Sequence, residues 1–258
     1  MEWLEISGGW VYLPRRDIKG IVHFLGGAFV ATAPQISYRL LLEQIGKDGY
    51  ATIATPFLNT LDHLAIAREV LNRFETILDR LHQTNKLGKR YLPVYGIGHS
   101  MGCKLHLLIG SLYNIERAGN ILISFNNYPV NRAIPFIEQF NLTSTFNVEF
   151  SPSPIETQEL IAKNYAIRRN LLVKFTNDNI DQTIELNPIL RQRFPNMIAL
   201  LNLPGNHLTP LSQEIQWQSE DSNTPISTLG QWFNQGFSRD LHRLKQEISI
   251  WLDPTLSF

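Results

Sequence analysis

Residues 91 to 110 read YLPVYGIGHSMGCKLHLLIG. An apolar run ends in Gly98, a serine stands between Gly98 and Gly102, and an amphipathic segment starts at once. Glycine is costly inside a strand or a helix, so the pair at this junction asks for a reason other than propensity. A serine hydroxyl is a poor nucleophile until a base takes its proton and the backbone presents its oxygen. A tight strand-to-helix turn does the presenting, and small residues two before and two after the serine make room for it, which is the physical content of G-x-S-x-G. The N–H groups opening the next helix bring a positive dipole end toward developing negative charge. The spacing therefore points to a nucleophilic Ser100. The plainer alternative is that Gly98 and Gly102 only close a turn.

Such a serine needs elements to hold it, and the chain supplies them in alternation. WLEIS and WVYLP flank Gly8-Gly9 and read as a hairpin. IKGIVHFLGG is a β-branched run ended by glycines; QISYRLLLEQIGKDG then has helical periodicity through Tyr38, Leu41, Leu42 and Ile45. YATIATP predicts a strand, 63–84 a long helix, YLPVYGIG a strand, KLHLLIGSLY a helix and NILISF a strand. NLLVKFT, a helix near DQTIELNPILRQRF, MIALLNL and a helix near RDLHRLKQEISIWL resume the rhythm after residue 165. Steady alternation predicts one α/β domain over residues 1–258, with a mostly parallel sheet and helices on both faces. The strand runs are nearly all apolar, as strands covered on both sides require. Residues 126–165, rich in Asn, Pro, Phe and Ser, interrupt the alternation and are expected to form a small lid insertion. Its Tyr128, Phe136, Ile137, Phe140, Phe146 and Phe150 would either receive an apolar substrate group or pack the insertion onto the body.

Composition excludes several classes. Lys plus Arg and Asp plus Glu number 23 each, and a chain without net charge lacks the basic excess that phosphate contacts need; no nucleic-acid partner is expected. The single cysteine, Cys103, cannot make an internal disulfide, which suggests a reducing, cytoplasmic location. MEWLEISGGW has neither the basic nor the apolar region of a signal peptide. No window offers the roughly 18 apolar residues of a membrane span, so an integral membrane protein is not expected. There is no metal-ligand spacing, and FLGGAF is not a dinucleotide fingerprint; neither metal nor cofactor is expected.

The chain resembles the α/β-hydrolases over nearly its whole length, from GIVHFLGGAF to the last helix. More narrowly, HFLGGAFVATAPQISYRLLLE, GIGHSMGCKLHLLI and ILISFNNYP resemble a functionally uncharacterised hydrolase family of photosynthetic organisms. The resemblance implies the α/β-hydrolase fold and the chain order nucleophile, acid, histidine. NLLVKFTNDNIDQT offers Asp178 and Asp181 after a late strand. The superfamily pattern fits Asp178, although Phe175 or Thr176 stands where its glycine is usual; Asp181 stays a rival, and either aspartate could instead cap the following helix. MIALLNLPGNHLTP supplies His207 in a glycine-x-histidine loop. His23 lies inside a strand, His63 and His82 at helix ends, His106 one turn past the nucleophile and His242 on a polar helix. His99 adjoins Ser100, where neighbours on a sharp turn point apart. The oxyanion donors implied are the N–H of Met101 and that of Gly27 or Ala28, with Leu25 replacing the histidine common in esterases. Cys103 reads as packing.

Two functions follow as expectations. One is a serine hydrolase acting on a small, apolar, ester-like substrate, a carboxylic ester or thioester, with Ser100, His207 and Asp178 as its catalytic residues. The other is a non-catalytic protein of the same fold that binds a small hydrophobic ligand. A scaffold presenting Trp217, Trp232 and Trp251 is a weaker third.

Overall fold

The computed structural model describes residues 3–15, 17–129, 149–212, 237–253 and 255. β1 (Trp3–Ile6) and β2 (Gly9–Tyr12) form the expected hairpin, turning through Ser7 and Gly8 at φ 50° and 75°. β2 pairs antiparallel with β4 (Tyr50–Ala54), and from there every pairing is parallel, through β3 (Gly20–Leu25), β5 (Val94–His99), β6 (Gly119–Ile123), β7 (Asn170–Phe175) and β8 (Ile198–Leu203). The strand order is β1-β2-β4-β3-β5-β6-β7-β8.

Helices cover both faces, which is why β3, β4 and β6 are buried at every position. On one face α2 (Arg39–Lys47) and the last helix, α7 (Phe237–Leu252), pack Leu41, Leu42, Ile45, Leu244 and Ile248 against Val22, Phe24, Ile97 and Ile121. On the other, α3 (His63–Gln83) and α4 (Met101–Leu112) bury Val70, Leu71, Leu105 and Leu108 with Leu25. α5 (Pro154–Asn164) and α6 (Thr183–Arg193) continue that layer through Ile161, Leu186 and Leu190.

The helix expected across residues 35–49 is broken. α1 (Pro34–Ser37) ends where Tyr38 leaves helical geometry at φ −118°, ψ 19°, before α2 restarts. Tyr38 is wholly buried and packs its ring on Phe24 at 4.7 Å; the tertiary position of that ring overrides local periodicity. Of the 126–165 insertion, residues 130–148, with Phe136, Ile137, Phe140 and Phe146, lie outside the described residues. Phe150 is buried and stacks on His63 at 4.3 Å, so it packs against the body. The Arg169 guanidinium lies 3.7 Å from the centroid of the Trp251 ring, while Trp217 and Trp232 are outside the described residues.

The chain runs from β3 outward to β4, then crosses back to place β5 on the other side of β3. At such a switch point the loops leaving adjacent strands part company, and a crevice opens at the carboxyl ends of the strands. Leu25 and Gly98 are register partners at that edge. Gly26 follows one and Ser100 the other.

Candidate active site

Ser100 has φ 54° and ψ −118°, a backbone conformation that costs a non-glycine residue stability and persists only where surroundings impose it. The glycines explain how. A Cβ on Gly98 would lie 2.6 Å from backbone atoms of Gly102 and Cys103, and one on Gly102 would collide with the Leu25 carbonyl. The turn is thus closed too tightly for side chains at either place. Ser100 N–H donates to Ile123 O at 2.9 Å, pinning the elbow to the end of β6.

The partners come from two other loops. Asn177 N–H donates to Gly205 O at 3.0 Å, which joins the loop after β7 to the loop after β8. Gly205 has φ 126°, and Asn206 closes its turn by accepting from Leu208 N–H and by donating its own N–H to Thr209 Oγ1, each at 2.9 Å. His207 is thereby aimed at the elbow. Its Nδ1 lies 2.8 Å from Asp178 Oδ2, and its Nε2 lies 3.0 Å from Ser100 Oγ. A carboxylate only accepts, so Nδ1 carries the proton and Nε2 is the bare nitrogen that accepts from the serine hydroxyl.

The carboxyl side chain of Asp178 is fully covered, and that of His207 is 17% exposed. Burial pushes Asp178 up, but the hydrogen bond and charge of His207 outweigh it and hold the carboxyl below its ordinary value. Asp178 also accepts from Ile180 N–H at 3.1 Å. Asp181 turns elsewhere. It accepts from Thr183 N–H at 2.8 Å where α6 begins, and Lys174 Nζ is 3.9 Å away. Burial raises its pKa. The two aspartates divide the tasks the sequence left open, one facing His207 and the other serving the start of the helix.

Met101 opens α4, so its N–H belongs to the first turn, where intrahelical acceptors are missing. Gly27, expected as a possible oxyanion donor, is engaged: its N–H donates to Tyr38 Oη at 2.8 Å. The physical reason is the buried hydroxyl of Tyr38, which lies within reach of that amide. The next residue is Ala28, and no hydrogen bond among the described residues occupies its N–H.

His99 engages partners that local pattern did not reveal. Its Nδ1 is 2.7 Å from Tyr38 Oη and its Nε2 is 2.8 Å from the carbonyl oxygen of His207. Tyr38 counted as one more apolar position on a helix face, so nothing in the sequence set it apart. His23 and His106 are core residues, His63 is buried at the start of α3, and His242 is exposed on α7. The Cys103 thiol, pushed up by burial, lies 3.2 Å from both Gly98 O and Ile123 O beneath the elbow, two acceptors for its one proton. Among the described residues no group of three or more His, Cys, Asp or Glu could hold a metal ion, and no helix is long and apolar enough to cross a membrane.

Residues 2–254 match a family described as "Protein of unknown function (DUF1350)". The chain belongs to that family. A search of the curated proteins returned no match. Among solved structures, the chain is similar to a soluble variant of monoglyceride lipase from Saccharomyces cerevisiae in complex with a substrate analogue, at 13% identity and TM-score 0.61, covering 98% of this chain and 94% of that one. A monoacylglycerol lipase from Paleococcus ferrophilus matches at 14% identity and TM-score 0.55, covering 98% of both chains. Carboxyl esterase 2 from the mycorrhizal fungus Tuber melanosporum matches at 20% identity and TM-score 0.55, covering 93% of this chain and 87% of that one. At such identities the likeness speaks for the fold, and this member of the family has the α/β-hydrolase fold.

Proposed function

We propose that the protein is a serine hydrolase that cleaves a carboxylic ester or thioester through an acyl-enzyme on Ser100. The observation that carries this reading is the unbroken line Ser100 Oγ–His207–Asp178, at 3.0 Å and 2.8 Å, standing on a strained elbow at the switch point of the sheet. His207 Nε2 takes the hydroxyl proton as Oγ attacks the carbonyl carbon, and Asp178 stabilises the imidazolium that results. The tetrahedral oxyanion is received by the N–H groups of Met101 and Ala28; the engagement of Gly27 by Tyr38 favours Ala28 over Gly27. His207 then gives its proton to the departing oxygen or sulfur. Water, deprotonated by the same nitrogen, releases the acid and restores Ser100.

An apolar substrate is supported by exposed apolar side chains in the connections that follow β3, β4, β6 and β7. Phe29, Leu58, Ile155 and Ile184 are exposed at 64%, 71%, 70% and 53%. Each belongs to a connection that leaves the carboxyl end of a strand, the edge where Ser100 sits. The reading includes a single domain over residues 1–258 with a small lid insertion within residues 126–165, no nucleic-acid partner, and, from the lone cysteine, a cytoplasmic location. It extends to the suggested link with photosynthetic organisms.

The test is labelling of the purified protein with a fluorophosphonate probe, with Ser100→Ala alongside. Wild-type labelling that vanishes in the variant is expected. A wild type that takes no label would move the function to the alternative, a ligand-binding protein without an activated serine.

A further inference from the structure

Behind the proposed triad runs a second line of hydrogen bonds that none of the steps above uses. It joins Gly27 N–H, Tyr38 Oη, His99 and the carbonyl of His207, at 2.8, 2.7 and 2.8 Å. Tyr38 is 0% exposed and His99 is 2% exposed, so neither can touch a substrate.

Its protons have one consistent arrangement. The His207 carbonyl can only accept, so His99 Nε2 carries a proton. Burial drives the His99 pKa down to about 3, which keeps the ring neutral near pH 7 and leaves Nδ1 as an acceptor. The single hydroxyl proton of Tyr38 must then go to Nδ1, and the tyrosine oxygen accepts from Gly27 N–H. Every donor meets an acceptor, and the sequence of bonds cannot be reversed without stranding a buried polar group.

The three loops it connects are those that carry the site. Gly27 adjoins Ala28 in the loop after β3, His99 adjoins Ser100 at the elbow, and the carbonyl belongs to His207 itself. The glycine pair of FLGGAF makes sense in the same terms. A Cβ on Gly26 would press on the Tyr38 ring at 2.8 Å, and one on Gly27 would meet His99 Nδ1 at 3.2 Å. Side chains at these positions would displace the residues that make the bridge.

We propose that Tyr38 and His99 are positioning residues, which lock the oxyanion loop, the nucleophile elbow and the histidine loop into one register before substrate arrives. The proposal rests on the serine-hydrolase reading of the same site. Preorganised donors and a base held in place are where such enzymes gain most of their rate. Release of the carbonyl would let His207 drift from Ser100, and release of Gly27 would loosen the loop that presents Ala28.

The experiment compares wild type with Tyr38→Phe, His99→Phe, His99→Gln and the double variant Tyr38→Phe/His99→Phe. The rate constant for fluorophosphonate labelling and the kcat and KM for a short-chain ester are measured, with thermal melts as a folding control. Tyr38→Phe and His99→Phe are each expected to label and turn over roughly 10- to 100-fold more slowly. The loss should fall on kcat, with KM changed by less than about threefold, because the pair does not reach substrate. The double variant should fall no further than the worse single variant, since both break one line. Gln at position 99 keeps an N–H to offer to the His207 carbonyl, so it should recover part of the rate lost in His99→Phe; it also serves as the folded substitute if the Phe variant does not fold. Folded variants with wild-type kcat, a loss confined to KM, or losses that multiply in the double variant would each overturn the positioning role. The two readings part cleanly. If wild type labels and Ser100→Ala does not, those outcomes sink the relay alone; if wild type never labels, the hydrolase reading fails and takes the relay with it.

Discussion

Two histidine clusters, one at the carboxyl edge of the sheet and one in the core, have opposite characters. At the carboxyl edge of the sheet, His207 faces Ser100 on one side and Asp178 on the other. Deeper, between the sheet and α3 and α4, His23 and His106 meet edge to face at 5.2 Å. There Arg117 donates to His23 Nδ1 at 3.2 Å, His23 Nε2 reaches Thr55 Oγ1 at 2.8 Å, and His106 Nε2 donates to Ile97 O at 3.2 Å. Phe74 stacks on His23 at 4.3 Å and carries the Arg117 guanidinium 4.5 Å from its ring centroid. Among the described residues, no carboxylate is hydrogen-bonded to either ring of the inner cluster. Arg117 beside it instead disfavours a second positive charge. Burial lowers His23 far below its ordinary pKa and His106 to about 3, with Arg117 adding to both. On the proposed reading, what separates a chemical histidine from a structural one is the partner on each nitrogen and the access to one of them.

Substitutions can break that contrast. His207→Gln is expected to lower kcat/KM by roughly 10³- to 10⁴-fold while the melting temperature moves little. His106→Phe should do the reverse, leaving turnover per folded molecule near wild type. Comparable rate losses in steady-state kinetics of the two variants would erase the distinction. Next in size is the acid: Asp178→Asn should cost about 10³-fold or more in kcat, and Asp181→Asn less than about tenfold. A larger loss at Asp181 would reassign the acid.

Arg117→Met tests the inner cluster through stability alone. It removes a cation–π contact and a hydrogen bond to His23, and we expect a loss of about 1–3 kcal/mol in denaturant melts. An unchanged midpoint would mean the cluster contributes nothing. Stability should also depend on pH. His63, His99 and His106 have folded pKa values near 3, and His23 is also strongly lowered, against 6.5 when unfolded. Between those limits the unfolded chain binds protons that the folded chain refuses, so stability is fully present above pH 6.5 and falls as the pH drops toward 3. Each such group contributes a slope of about 1.4 kcal/mol per pH unit. Urea midpoints at pH 7, 6 and 5 should decrease in order, and a flat series would show that these histidines bind the same protons in the fold as in the unfolded chain.

Much of the architecture was legible because it depends on neighbours in the chain. Apolar runs of strand length, helical periodicity and glycines at their ends placed the β3, β4, β5, β6, β7 and β8 segments along the chain, and Gly98–Ser100–Gly102 marked the elbow. Periodicity reads residues 35–49 as one helix, because Tyr38 fits a helical stripe equally well whether its backbone is helical or not. By itself the sequence determined an alternating α/β chain, with a serine at a tight strand–helix turn and a histidine after the last strand. Only the tertiary structure decided which aspartate meets His207, that the Gly27 amide is taken, and that Tyr38 and His99 meet. Those pairings bridge 29, 11 and 61 residues. Short-range periodicity reports which face of an element is apolar, but hydrogen bonds depend on distances and directions of a few tenths of an ångström between separate loops. These exist only once the sheet has brought the loops to one edge.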